Sequence, residues 1–307
     1  MPRFYHDDPA WSDVTPIPQL ESGQVLAGIS YTAEYSEAMS YLRAVMAANE
    51  YSTRVLDLTE HIISLNPAHY TVWLYRAQTL SALNRNLREE IKWLNPTALK
   101  HLKNYQIWHH RQTIIDRLGS CDGEQEFVEQ MLEKDAKNYH VWSYRQWVVR
   151  RFGLFGDEGE RKWCEGMMER DVRNNSVWNH RFFVVFGGLK GEVEEGLLKR
   201  ELEYAQDAVR KAPQNECPWN YIRGVLRQAK KPMSTVKEFA KEFADLEKPD
   251  EVRSTHALDL LADIYEEEKK NDEAKTALDL LANKYDPIRA KYWEYRARSL
   301  DSAAVEA

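Results

Sequence analysis

Apolar residues recur three and four positions apart in VLDLTEHIISL at 55–65 and in EFVEQMLEKDA at 126–136, a period that predicts amphipathic helices, and no strand pattern competes. Phrases built around tryptophan alternate with these stretches: NPAHYTVWLYR, HLKNYQIWHHR, DAKNYHVWSYR, DVRNNSVWNHR, APQNECPWNYIR and YDPIRAKYWEYR. Two of them, KNYQIWHHRQ at 103–112 and KNYHVWSYRQ at 137–146, are identical at six of ten positions. The tryptophans stand at 73, 108, 142, 178, 219 and 293, with separations of 35, 34, 36, 41 and 74. The last gap is about two periods, so a degenerate copy without Trp is expected near residue 256, in STHALDLLADIY.

A repeat of this length is a helical hairpin that cannot bury its apolar face alone and must stack on its neighbours. Each phrase reads as a helix start. Asn66 with Pro67 predicts a cap followed by a proline in the first turn, and Asn104, Asn138 and Asn174 are candidate caps. Short connections force antiparallel packing. The predicted fold is all-α: a right-handed crescent, a superhelical solenoid of about seven antiparallel helical hairpins over residues 31–301. An extended N-terminal segment is expected at 1–30 and a flexible tail at 302–307.

Within the repeat, Trp73 and Arg76, Trp108 and Arg111, Trp142 and Arg145, Trp178 and Arg181, and Trp293 and Arg296 are three apart and share a helix face. Trp219 and Arg223 are four apart, which predicts a shifted helix start in that copy. These pairs carry the fold rather than the chemistry: the ring anchors one hairpin to the next, the Arg stem covers it, and the guanidinium reaches a carbonyl or carboxylate.

Composition narrows the class. The 307 residues are 43% hydrophobic and 30% charged, enough for a sizeable core, and no run approaches the roughly 18 apolar residues of a membrane span. The start, MPRFYHDDPAWSD, has no secretory pattern. Cys121, Cys164 and Cys217 are far apart and form no CxxC, which fits a cytoplasmic location. A net charge of -7 argues against a general nucleic-acid surface.

Candidate chemistry lies where the copies make an unusual polar choice. Five residues before the tryptophans stand Ala68, Lys103, Lys137, Arg173 and Gln214, so the three central copies are basic. A cation beside a helix N-terminus opposes the macrodipole and improves no packing, but it does complete an anion site with the free N–H groups. With hairpins stacked in parallel, Lys103, Lys137 and Arg173 would form a row along one edge; solvated loop lysines are the plain alternative. Tyr105 and Tyr139 follow, with Gln106 and His140 beside them, polar groups suited either to a ligand or to packing. His109 and His110 point about 100° apart on a helix and have no carboxylate at ligand spacing, so no metal site is expected. Gly-rich phosphate loops and nucleophile motifs are absent, and the chain does not read as an enzyme by itself.

The ordered set KNYQIWHHR, KNYHVWSYRQW and NNSVWNHRFFV, with the opening YHDDPAWSDVTPIPQ and the segment LNPAHYTVWLYR, resembles the alpha subunits of protein prenyltransferases. It is most similar to the subunit shared by farnesyltransferase and type I geranylgeranyltransferase. The resemblance runs from about residue 5 to 300. It implies a non-autonomous subunit wrapped around a beta subunit that holds the catalytic zinc, with magnesium serving farnesyl transfer. The pair would move an isoprenoid from prenyl diphosphate to the cysteine of a CaaX peptide or protein. By the same resemblance Lys103 stabilises the leaving diphosphate, Tyr105 stands beside it, and Gln106 meets the CaaX carboxylate. Asn104, Tyr139 and His140 line that edge. Pro96, in IKWLNPTAL, is expected to interrupt the helix leading to Lys103. Two rivals remain: the alpha subunit of the Rab-type geranylgeranyltransferase, which shares the repeat, and a tetratricopeptide-like peptide-binding scaffold, whose pattern wants Leu and Gly where these copies have Arg and none.

Overall fold

A computed structural model describes residues 3–19 and 28–305. It is all helical, with no strand among the described residues. The chain divides into two compact units, Met1–Phe152 and Gly153–Ala307.

In the first unit, α1 (Ala33–Ala47) precedes three hairpins: α2 (Thr53–Leu65) with α3 (Tyr70–Ala82), α4 (Leu87–Lys100) with α5 (Tyr105–Leu118), and α6 (Glu124–Lys134) with α7 (Tyr139–Phe152). Of the expected N-terminal segment, 1–2 and 20–27 lie outside the described residues. Residues 3–19 lie against α1 and α2: Tyr5 and Trp11, both buried, pack on Tyr41, and the Tyr5 hydroxyl is 2.7 Å from His61 Nδ1.

The second unit holds four more hairpins. They are α8 (Glu158–Arg170) with α9 (Asn175–Phe186), α10 (Glu195–Lys211) with α11 (Glu216–Gln228), the short α12 (Lys237–Lys241) with α13 (Thr255–Glu267), and α14 (Asn271–Leu280) with α15 (Ala290–Val305). The expected degenerate copy is α13, in which Leu258 fills the tryptophan slot, four residues after the capping Ser254. The tail expected at 302–307 begins inside α15, and 306–307 lie outside the described residues.

The second helix of each hairpin carries the phrase because its capping residue stands four positions before the Trp. Asn104 accepts from Ile107 N–H at 2.9 Å, Asn138 from His140 N–H at 2.9 Å, Asn174 from Ser176 N–H at 3.1 Å and Asn215 from Cys217 N–H at 3.3 Å. The residue before the Trp, Val72, Ile107, Val141 or Val177, is fully buried in each of those copies. The tryptophans follow it inward.

Three expectations are corrected. Asn66 does not cap α3: it ends α2, and its side chain accepts from Ala68 N–H at 3.2 Å, a local turn that leaves His69 in the capping slot. In the fifth copy the helix start is not shifted, since Asn215 is four before Trp219 as elsewhere. Arg223 stands one place later and binds Asp259 and Asp263 of α13 rather than a Glu on the first helix of the next hairpin. Pro96 does not interrupt α4, which continues to Lys100. Leu94 and Ala98, four apart and buried, hold that face in place, and Asn95 Oδ1 accepts from Arg111 at 2.7 Å.

A repeated backbone device sets the turns before these helices. The Trp Nε1–H donates to the carbonyl six residues earlier: Trp73 to Pro67 at 2.8 Å, Trp108 to Leu102 at 3.3 Å, Trp142 to Ala136 at 3.0 Å, Trp178 to Val172 at 2.8 Å and Trp219 to Pro213 at 2.9 Å. The next repeat's capping residue donates to the same carbonyl. Asn104 reaches Pro67 at 3.0 Å and Asn138 reaches Leu102 at 3.3 Å in the first unit; in the second, Asn215 reaches Val172 at 2.9 Å and Ser254 reaches Pro213 at 2.6 Å. The recurring Asn therefore caps its own helix and ties down the preceding turn.

The arginines complete the stack. Arg76 binds Glu90 through two bonds of 2.7 and 2.8 Å, Arg111 binds Glu124 through two of 2.7 Å, and Arg181 binds Glu201 at 2.8 and 3.1 Å. Each Glu also accepts from the residue two after the following Trp: Glu90 from His110 at 2.8 Å, Glu124 from the Tyr144 hydroxyl, and Glu201 from Tyr221 at 2.7 Å. All of these carboxylates are buried, so each pair stands on its full set of hydrogen bonds.

Candidate functional site

The candidate residues gather at the start of α5 and the start of α7, on two adjacent turns of the first unit. Residues His101–Asn104 form a turn closed by Asn104 N–H donating to His101 O at 3.1 Å, with Lys103 at its third position. Asp135–Asn138 repeats it at 3.1 Å with Lys137. Arg173 occupies the same place in the turn Asp171–Asn174 of the second unit.

Lys103 is exposed and makes no ion pair or hydrogen bond among the described residues. It follows the half-buried His101 and Leu102, so its ammonium leaves the chain at the mouth of the turn. Asn104 is committed on both sides of its amide, to Ile107 N–H and to Pro67 O. Tyr105 is 67% exposed, and its ring meets the His140 ring edge to face, with centroids 4.3 Å apart. Tyr139, 70% exposed, also meets that imidazole edge to face, with centroids 5.6 Å apart.

Burial lowers the pKa of His140, and the positive charge of Lys103 lowers it further. That coupling places Lys103, Tyr105, Tyr139 and His140 in one patch, a cation, two phenols and an imidazole facing outward. The patch can donate hydrogen bonds to an anion and supply one full positive charge.

Gln106 faces a neighbouring groove of about 390 Å³ between α3 and α5, lined also by Tyr70, Leu74, Tyr105, His109 and Arg117. Tyr70 and Leu74 are 73% and 60% exposed. Sequence reasoning passed over Tyr70, although it stands three before its Trp as Tyr105 and Tyr139 do. It also passed over Glu90, Glu124 and Glu201, whose distance from their arginines varies between 13 and 20 residues and so leaves no fixed spacing to detect.

The His109–His110 pair separates as helical geometry requires. His109 is exposed at the groove, whereas His110, at its floor, is buried on Glu90, and burial lowers its pKa against the opposing pull of that carboxylate. Among the described residues no three His, Cys, Asp or Glu side chains are arranged to hold a metal ion. No helix among them is long and apolar enough to cross a membrane.

The profile of the protein prenyltransferase alpha subunit repeat matches residues 52–83, 87–118, 121–152, 157–187 and 198–229, more than half of the chain. The chain belongs to the protein prenyltransferase alpha subunit family. Each of the first four matched stretches is one of the hairpins described above, from α2/α3 to α8/α9, and the fifth covers most of α10/α11. The protein farnesyltransferase/geranylgeranyltransferase type-1 subunit alpha of Candida albicans is 43% identical over 300 residues, 95% of this chain and 97% of that protein. The subunit of the same description from Schizosaccharomyces pombe is 43% identical over 290 residues, 94% of this chain and 93% of that protein. A solved structure of Candida albicans protein geranylgeranyltransferase-I complexed with GGPP contains a similar chain. It is 40% identical, with a TM-score of 0.88, covering 96% of this chain and 99% of that one. Matches to type-2 geranylgeranyl transferase alpha subunits cover much less of the chain, 25% and 64%.

Proposed function

We propose that this chain is the alpha subunit of a heterodimeric CaaX protein prenyltransferase, farnesyl- and geranylgeranyl-transferring according to its beta subunit. In this reading it scaffolds the beta subunit and contributes Lys103, Tyr105 and Gln106 to the reaction. The observation that carries the proposal is Lys103 itself: an exposed cation, with no ion-pair partner among the described residues, on a tied turn beside the His140 imidazole.

The reaction forms a bond between the peptide cysteine sulfur and C1 of the isoprenoid and breaks the C1–oxygen bond, whose electron pair leaves with the diphosphate. Charge grows on the departing oxygens. A fixed ammonium aimed at them stabilises the transition state more than the ground state. Tyr105 donates from its hydroxyl, and His140 donates one N–H. Gln106, at the groove, donates its amide N–H to the C-terminal carboxylate of the CaaX peptide. Tyr139 orients His140, and Asn104 acts through the backbone it ties.

The zinc implied for thiolate activation, and the magnesium implied for farnesyl transfer, find no donor set among the described residues. In this reading zinc belongs to the beta subunit, as does the pocket that measures isoprenoid length. A cytoplasmic location is proposed on the same basis.

Co-expression with a CaaX prenyltransferase beta subunit tests the reading, with transfer to a short CaaX peptide as the assay. Transfer that requires both chains supports it. Transfer only to a Rab protein with an escort protein present would replace it with the Rab-type reading, and a chain that never pairs would leave a peptide-binding scaffold.

A further inference from the structure

The central peptide of a four-residue turn has two accessible orientations, and flipping it interconverts the two common turn types and redirects the side chains on either side. In the turn His101–Asn104 that central peptide joins Leu102 to Lys103. Its carbonyl, Leu102 O, accepts from Trp108 Nε1 and from Asn138 Nδ2, each at 3.3 Å. The equivalent carbonyls at Pro67, Val172 and Pro213 receive both of their bonds at 2.6 to 3.0 Å. The turn that carries Lys103 is thus held by the two longest bonds of this set.

Asn138 is 3% exposed and does two things at once. Its Oδ1 caps α7, accepting from His140 N–H at 2.9 Å and Val141 N–H at 3.3 Å, while its Nδ2 donates to Leu102 O at 3.3 Å and to Asp135 Oδ2, in its own turn, at 3.4 Å. One side chain therefore registers the turn bearing Lys103 against the helix start bearing Tyr139 and His140. We infer that Asn138 is a positioning residue for prenyl transfer, acting through the Leu102 carbonyl to fix the direction in which Lys103 presents its charge. This deepens the proposed function and rests on it.

The substitutions separate cap from tie. Asn138→Asp keeps an acceptor for the α7 cap but has no N–H for Leu102 O. Asn138→Ser keeps both capacities, because Ser254 caps Ala257 N–H and donates to Pro213 O in its own repeat. Trp108→Phe removes the other donor without adding charge. In the assembled pair, Asn138→Asp and Trp108→Phe each lower the single-turnover rate by roughly two- to tenfold, the equivalent of one modest hydrogen bond, with the peptide KM held. Asn138→Ser recovers most of that loss. In a Lys103→Ala background the further effect of Asn138→Asp shrinks to about none, because the residue acts through Lys103.

Amide hydrogen exchange across 101–106 is read on the same proteins. Faster exchange there in Asn138→Asp, with α7 unchanged, is expected. An equal rate loss in the presence and absence of Lys103, or parent-like exchange in both donor-deleted variants, overturns the inference. A parent pair with no transfer at all refutes the proposed function instead, and the exchange measurement still decides whether Asn138 holds the turn.

Discussion

Arg111 and Glu124 meet through two parallel hydrogen bonds of 2.7 Å, both side chains almost wholly out of solvent. The Tyr144 hydroxyl of the next repeat takes the same carboxylate, and Arg111 spends its remaining amino group on Asn95 at 2.7 Å. The pair therefore links α5 of one hairpin to both α6 and α7 of the next. Its partners are fully satisfied, the condition under which a buried ion pair is tolerated.

Removing one partner should therefore be far worse than removing all. Glu124→Ala is expected to destabilise the protein by about 3–5 kcal/mol, because a guanidinium is left buried and uncompensated. The triple change Arg111→Met, Glu124→Leu, Tyr144→Phe is expected to recover most of that loss. Urea unfolding of the assembled protein measures both, and a triple variant no better than Glu124→Ala would show that the network specifies the fold rather than merely filling it.

Lys103→Ala is expected to slow prenyl transfer on the order of 10–1000-fold, the range for one electrostatic stabiliser of a developing anion. Gel filtration of the co-expressed pair should show unchanged assembly, since Lys103 is exposed and makes no ion pair or hydrogen bond among the described residues. Assembly and activity falling together would make Lys103 an interface residue.

Acid stability follows from His110. Its pKa is depressed chiefly by burial, against the pull of Glu90, with Arg76 and Arg117 also lowering it, so the unfolded chain binds its proton more readily than the folded one. Stability is full above the ordinary imidazole range, near 6.5, and declines as pH falls below it. His69, His101, His140 and His256 are depressed as well and add with the same sign. Glu90 behaves in the complementary way. Burial raises its pKa, but bonds from His110 and Arg76 outweigh that and leave it lowered, so its contribution is lost only at more acid pH. His110→Gln, which keeps a donor for Glu90 and cannot titrate, should flatten the decline between about pH 6.5 and 5. Thermal melts across that interval, compared with the parent, test it.

Trp142→Ala is expected to cost roughly 3–5 kcal/mol, because a 6% exposed indole leaves a cavity and the Ala136 carbonyl loses the indole N–H. Trp142→Phe separates the two effects, keeping most of the volume without the N–H. Equal losses in denaturation midpoint for both variants would assign the cost to the hydrogen bond.

Much of this architecture is legible from residue order alone, because helices and their caps are local. Asn104, Asn138 and Asn174 announce the helix starts, the Trp spacing announces the repeat, and even the copy without Trp is found at α13 by counting periods. The basic residue before the caps of the three central copies was visible too, since it depends only on alignment. Errors arose where a local rule had two outcomes. An Asn-Pro pair can open a helix or turn the chain out of the preceding one, and Asn66 does the latter. A proline can break a helix or be carried by it, and burial of Leu94 and Ala98 decides for α4.

The chain's own order thus determined its helices, their period, the hairpin as repeating unit and the positions of Lys103, Tyr105 and Gln106. Only the tertiary structure decided which carboxylate each arginine takes, that Tyr70 and Leu74 open onto the groove of Gln106, and that Asn138 grips the peptide behind Lys103. The physical reason is range. Caps and amphipathic faces are settled within one helical turn, whereas the Leu102 carbonyl finds its donor 36 residues away, a contact that exists only once two hairpins have stacked.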